Sequence, residues 1–184
     1  TSGSPVRVWR TLARMGSGLQ SQLTSIGDVV DAAREAGIQI WLRGGWAVDF
    51  VVGEVTRFHR DVDWFALADQ IEVLRAALEL HGWQEVAEAD REQQRDFVRD
   101  GVEIGIALIR LENGEPVVAG GPFAGEPWPR TMIEGSRSLT LLGVEAQVIE
   151  PLAQIEIKRM MPTWNPQLVR RAKDLVDIQR LELK

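Results

Sequence analysis

Apolar positions along the chain alternate between helical and strand periods. Leu19, Leu23, Ile26, Val30 and Ala33 recur at helical spacing and predict a helix that ends at Gly37. Ile38 to Leu42 is a short β-type run that stops at Gly44-Gly45, and Trp46 to Val52 resumes a helical pattern closed by Gly53. After a polar loop, Asp61 to Leu67 reads as a strand, and Asp69 as the N-cap of a helix running to Leu80. Trp83 to Ala87 reads as another strand. Asp100-Gly101 and Asn113-Gly114 are tight-turn signals, so Asp96 to Arg99, Val102 to Leu111 and Val117-Val118 form successive hairpins. Gly120 to Pro129 is a loop rich in Gly and Pro. Leu139 to Leu142 and Ala146 to Ile149 pair around Gly143, and Pro151 opens a helix carrying Leu152, Ile155 and Met160. A last helix runs from Pro166 to Leu181 with Leu168, Leu175, Ile178 and Leu181 inward, and a short amphipathic helix is expected at Val6 to Met15. The pattern predicts an α/β (α+β) fold, a mixed sheet with helices packed on it. Residues 5–112 form the core and 113–184 a C-terminal extension of strands and helices serving substrate or dimer contacts; a homodimer is compatible with it. Thr1-Ser2-Gly3-Ser4 reads as an expression scar.

Composition narrows the chemistry. The 184 residues carry 21 basic and 27 acidic side chains, a net charge of −6, with no Cys and two His. Thiolate chemistry and disulfides are excluded, and a zinc site built on several imidazoles is disfavoured. The acid balance argues against nucleic acid or an anionic membrane as partner and suits a cationic or metal-bound one. No apolar stretch approaches the ~20 residues of a membrane span, and no leader pattern opens the sequence, so a cytoplasmic protein is expected. Trp46, Trp64 and Trp83 read as core. Trp128 and Trp164, flanked by prolines, are candidates for a wall that stacks on a ligand. The acids Glu88, Asp90, Glu92 and Asp96 read as a solvated face or as an attractor of a polycation.

Two features carry chemistry. Asp61 and Asp63 alternate on a strand, so both project from one face, and two adjacent carboxylates in an apolar segment call for a bound cation such as Mg2+. Gly44-Gly45, between a strand and a short helix, leaves backbone N–H groups free to meet phosphate. A phosphate cradle followed by paired carboxylates is the equipment of metal-assisted nucleotidyl transfer.

The run Gly44-Gly45-Trp46-Ala47-Val48-Asp49, then Gly53, Thr56-Arg57 and His59-Arg60-Asp61-Val62-Asp63, resembles the antibiotic nucleotidyltransferases of the DNA polymerase β-like superfamily, in the aminoglycoside 2″-adenylyltransferase and lincosamide nucleotidyltransferase branches. Pro151, Lys158 and the Lys173-Asp174…Asp177 pattern extend the likeness loosely. The resemblance implies a small nucleotidyltransferase fold, with Asp61 and Asp63 as catalytic metal ligands. Gly44 and Gly45 would hold the nucleotide, with Arg57, His59, Arg60 and Lys158 or Lys173 contacting the triphosphate. The implied reaction moves AMP from ATP, with Mg2+, to a hydroxyl of a small cationic antibiotic, releasing pyrophosphate. A lincosamide acceptor, a toxin-type enzyme modifying a macromolecule, and a non-catalytic nucleotide- or drug-binding relative are the alternatives. Where the family carries a third aspartate this chain has Gly105; Glu103, two residues earlier on the same face, is the substitute candidate for catalysis and metal binding.

Overall fold

The computed structural model describes residues 16–86, 90–164 and 171–184, with backbone alone for 161–164. The expected helix at Val6 to Met15, the start of the last helix at Pro166 with Leu168, and the side chain of Trp164 lie outside the described residues. The chain forms α1 (Ser17–Glu35), β1 (Ile40–Arg43), α2 (Gly44–Val52), β2 (Val62–Leu67), α3 (Ile71–Leu80), β3 (Gln84–Val86), β4 (Gln94–Arg99), β5 (Val102–Glu112), β6 (Glu115–Val118), α4 (Thr131–Glu134), β7 (Arg137–Leu141), β8 (Val144–Val148), α5 (Pro151–Trp164) and α6 (Ala172–Glu182). The mixed α/β class read from the sequence is what the structure shows.

One sheet runs β3-β4-β5-β2-β1-β8-β7, with β6 alongside β5. β2 pairs antiparallel with β1 and parallel with β5, while β8 pairs parallel with β1. The strands after residue 112 therefore join the same sheet as those before it. Alternation assigns the two faces. Leu42, Trp64, Ile104 and Ile106 meet Leu23, Ile26 and Val29 of α1 and Leu74 and Leu78 of α3 in the larger core. Trp41, Phe65, Ala107 and Ile109 face the other way and pack against Trp128, Met132, Ile149, Ala153 and Ile157. A third cluster joins Val48 of α2 to Ile155 of α5 and to Ile178 and Leu181 of α6. On the second face the apolar cover extends to Phe65, and the same face of β2 continues into Asp63. That uncovered end is where the charged residues gather.

The sequence expectations err at particular places. Asp69 does not cap α3: residues Ala68–Gln70 form a 3-10 turn, the helix begins at Ile71, and the cap position has no side-chain hydrogen bond. Leu175 is 47% exposed, because α6 turns Asp174, Asp177, Ile178 and Leu181 inward instead. Trp128 is core, edge-on to Phe65 with ring centroids 5.1 Å apart, and not a ligand wall. The short helix α4 and a 3-10 turn at Gly121–Phe123 were hidden in segments without apolar periodicity. Among the described residues no helix is long and apolar enough to cross a membrane.

Candidate functional site

The site begins where β1 turns into α2. Gly44 has φ of +72°, a left-handed conformation that costs an L side chain about 1–2 kcal/mol. Space adds a second constraint: a Cβ on Gly44 would overlap Asp63 Oδ2 and lie 3.1 Å from Asp63 Cγ. At Gly45 a Cβ would overlap His59 Nδ1 and stand 2.8 Å from Arg57 Nη2. Both glycines are therefore required by close approach, one to the carboxylate of β2 and the other to the loop before it. Gln154 of α5 fixes the turn by donating Nε2 to the Gly44 carbonyl at 2.9 Å.

Behind the turn, a buried polar strut holds the loop. Asp49, fully buried on α2, accepts Thr56 Oγ1 at 2.6 Å and faces His59 Nε2 at 2.5 Å. His59 Nδ1 lies 2.9 Å from Arg57 Nη1. A carboxylate can only accept and a guanidinium only donate, which places the imidazole proton on Nε2. With both ring nitrogens engaged and 2% exposure, His59 acts as a strut carrying Arg57. Gln22 of α1 completes the packing, donating Nε2 to the His59 carbonyl and accepting the Trp46 indole N–H.

The helices close the other wall. Arg57 Nη2 donates to Asp177 Oδ2 at 2.9 Å, and Lys158 Nζ reaches the same oxygen at 3.0 Å and Asp174 Oδ1 at 3.4 Å. Arg171 is bidentate on Asp174. These contacts explain the inward aspartates of α6. Burial opposes ionisation of Asp174 and Asp177, but hydrogen bonds from Arg171 and Arg57, with the charge of Lys158, hold both carboxyls below the usual range.

Between these walls lies a cleft of about 230 Å³ lined by Arg43, Gly44, Gly45, Arg57, His59, Arg60, Asp61, Asp63, Ile149, Gln154, Ile157, Lys158, Arg171, Lys173 and Asp174. Six of these side chains are Arg or Lys and three are Asp, so the cleft is locally cationic in a chain of net charge −6. That excess suits a polyanion such as a triphosphate. Lys173 feels it: burial, then repulsion from Arg171 and Arg57, pushes its ammonium below its ordinary value. Asp63 responds oppositely. Desolvation raises its carboxyl above the ordinary value, the Arg43 charge partly offsets this, and Asp61 pushes it up further. Arg43 is a loose partner at 3.8 Å, since its guanidinium also stacks 4.7 Å over Phe65.

The structure thus brings Asp61, Asp63, Gly44, Gly45, Arg57, His59, Arg60 and Lys158 to one cleft. Glu103 stands apart: it is exposed and lies outside the cleft lining, although alternation puts it on the Asp63 face of the sheet. Among the described residues no cluster of three carboxylate or imidazole groups is close enough to enclose a metal ion. With Asp174 engaged by Arg171 and Lys158, Asp61 and Asp63 supply the acid oxygens, a set that fits an ion retaining water and phosphate ligands. Sequence reasoning missed Arg43, Gln154 and Arg171. Only Arg43 carried a signal, as the residue entering the glycine turn.

Comparison with known proteins identifies the family and the fold. The family described as aminoglycoside-2''-adenylyltransferase matches residues 25–149. Curated 2''-aminoglycoside nucleotidyltransferases of Escherichia coli and Klebsiella pneumoniae are 36% identical over 70 residues, 38% of this chain and 40% of the relatives' length. The match thus spans well under half of those relatives. Among solved structures, ANT(2")-Ia in complex with adenylyl-2"-tobramycin superposes with a TM-score of 0.72 at 20% identity, covering 89% of this chain and 90% of the other. The lincomycin-bound lincosamide antibiotic adenylyltransferase LnuA gives 0.64 at 19% identity, covering 84% and 92%. At these identities the superpositions establish a shared small nucleotidyltransferase fold. By the family match over residues 25–149, the chain belongs to the aminoglycoside-2''-adenylyltransferase family.

Proposed function

We propose that the protein transfers an adenylyl group from ATP to a hydroxyl of an aminoglycoside, releasing pyrophosphate. The observation that carries this reading is the approach of Asp63 to the Gly44 backbone beneath a rim of cations. Asp61 and Asp63 would hold Mg2+; when bound, the ion neutralises phosphate charge and orients the reacting oxygens. The donor set fits, because desolvation makes the Asp63 carboxylate costly, the Arg43 charge at 3.8 Å offsets this only in part, and a divalent cation would relieve the remainder.

The chain's own groups supply the rest. The bare backbone of Gly44-Gly45 lets phosphate oxygens approach, and Arg57, Lys158, Arg60 and Lys173 supply positive charge at the same cleft. Asp177 and Asp174 hold Arg57 and Lys158 in place from α6. The acceptor oxygen forms a bond to the α-phosphorus, the bond from that phosphorus to the bridging oxygen breaks, and pyrophosphate leaves with the electron pair. We assign the hydroxyl proton to Glu103, which lies on the Asp63 face of the sheet but outside the cleft lining and would receive it through an intervening water. An acidic chain favours a multiply charged aminoglycoside over a less charged drug. Purified protein with Mg-ATP and a panel of aminoglycosides (tobramycin included) and lincosamides tests this. Pyrophosphate release with an aminoglycoside supports the reading; release with lincosamides alone replaces the acceptor, and release with no member overturns the reading.

A further inference from the structure

We propose that Asp96 is the acceptor-side carboxylate of this site, holding an ammonium group of the drug across the bare backbone of Gly105. The inference rests on the reading of the site as acting on a cationic acceptor. In the sheet, Asp63 of β2 is in register with Gly105 of β5, and Gly105 with Asp96 of β4. Residues directly opposite one another project to the same face, so the three form one row running away from the cleft.

Gly105 makes the row continuous. A Cβ there would meet Asp96 Oδ1 at 3.1 Å and Gln94 Nε2 at 3.2 Å, so the Asp96 carboxylate leans over the glycine toward β2. Gln94 Nε2 donates to Asp96 Oδ1 at 2.7 Å, fixing the carboxylate with a neutral donor. Among the described residues Asp96 makes no ion pair, unlike Asp174 and Asp177. Its neighbour Arg95 points to the opposite face and pairs with Glu85 and Glu72, which pins the strand in register.

Charge is therefore divided about Asp63. The cations of α5, α6 and the Arg57 loop lie toward the glycine turn, where a triphosphate belongs, and an uncompensated carboxylate lies on the other side. Two strand spacings, about 10 Å, separate Asp63 from Asp96 along the row. That span places a reacting hydroxyl near Asp63 and an ammonium on the adjoining sugar ring near Asp96. The register places a carboxylate of the next strand against the bare backbone of Gly105.

Calorimetric titration of tobramycin and, separately, of ATP into the wild-type chain, Asp96→Asn, Asp96→Ala and the exchange variant Asp96→Ala/Gly105→Asp tests the assignment. Asp96→Asn is expected to weaken tobramycin by about 10- to 100-fold, the scale of one charge-assisted contact, and to leave ATP affinity within about twofold. The loss should shrink as salt rises. The exchange variant, which returns the carboxylate to β5, should recover most of the loss relative to Asp96→Ala. Unchanged tobramycin affinity in Asp96→Asn overturns the assignment, as does equal weakening of ATP or a wild-type chain that does not bind tobramycin. A folded exchange variant no better than Asp96→Ala also overturns it; if the exchange variant does not fold, the Asp96→Asn titration decides. Binding is read without turnover, so a wild-type chain that binds tobramycin but releases no pyrophosphate defeats the transfer reading and leaves Asp96 to be judged on its own ratio.

Discussion

Replacing Gly44 by alanine isolates the contact on which the site depends. The substitution adds one methyl group, yet it meets two obstacles. The left-handed backbone costs about 1–2 kcal/mol for an L residue, and φ is +72° here. In a domain of this length that cost lowers the melting temperature by about 2–8 °C. The second obstacle is local, since the new Cβ overlaps Asp63 Oδ2. The carboxylate must swing away by about 1 Å, a misplacement that costs catalysis on the order of 100-fold. The backbone can alternatively shift, but Gln154 holds the Gly44 carbonyl and resists that route. Transfer rates at saturating ATP and drug, measured beside thermal melts, separate the two effects. Expected are a modest loss of stability and a fall in kcat of about 100-fold. A variant that melts several degrees lower yet turns over within about threefold of wild type would show that the Asp63 position is not critical, and the reasoning would fail.

Other expectations follow from the same contacts. Asp177→Asn removes the carboxylate shared by Arg57 and Lys158, so KM for ATP should rise severalfold while KM for the drug stays put; an unchanged ATP KM would separate α6 from nucleotide binding. Glu103→Gln should depress kcat strongly, and near-wild-type turnover would remove Glu103 from the reaction. The Glu72–Arg95–Glu85 cluster predicts a pH dependence of stability. Hydrogen bonds from Arg95 hold Glu72 near 2 and lower Glu85, so both bind protons less readily folded than unfolded. Their contribution is therefore fully present above the ordinary value of about 4.5 and is lost as pH falls toward 2. Melting temperature should drop through that window, and Glu85→Gln should shallow the drop; an identical slope in the variant would contradict the assignment.

Local signals in the sequence located the elements that build the site. Apolar spacing marked α1, β1, α2 and β2 within a few residues, because each of these elements buries its own periodic face. The glycine pair and the alternating aspartates were legible for the same reason, being contiguous in sequence and set by the turn and the strand. What stayed hidden depends on register between distant segments. Whether Asp96 lies beside Gly105 is decided by how β4 pairs with β5, and whether Gly105 lies beside Asp63 by a parallel pairing with a strand about forty residues earlier. The inward face of α6 was misread because an apolar count favoured Leu175, whereas Asp174 and Asp177 are drawn in by Arg171, Lys158 and Arg57. Charges follow partners, and partners here come from three separate elements. His59 illustrates the same limit: a histidine just before the acids suggested phosphate contact, yet buried Asp49 and Arg57 take both its nitrogens.

The central claim is that two carboxylates facing a glycine turn form the reaction centre, and Asp63→Asn tests it most directly. Asp63 is held above its ordinary value chiefly by desolvation, so folding binds its proton more tightly and stability at neutral pH is lessened by its charge. Asparagine removes that cost and also removes a metal ligand. Single-turnover adenylyl transfer to tobramycin, read by the mass of the drug product, should fall at least about 1,000-fold, with the melting temperature unchanged or higher. Transfer within a few-fold of wild type, or an equal loss caused by unfolding, would contradict the account.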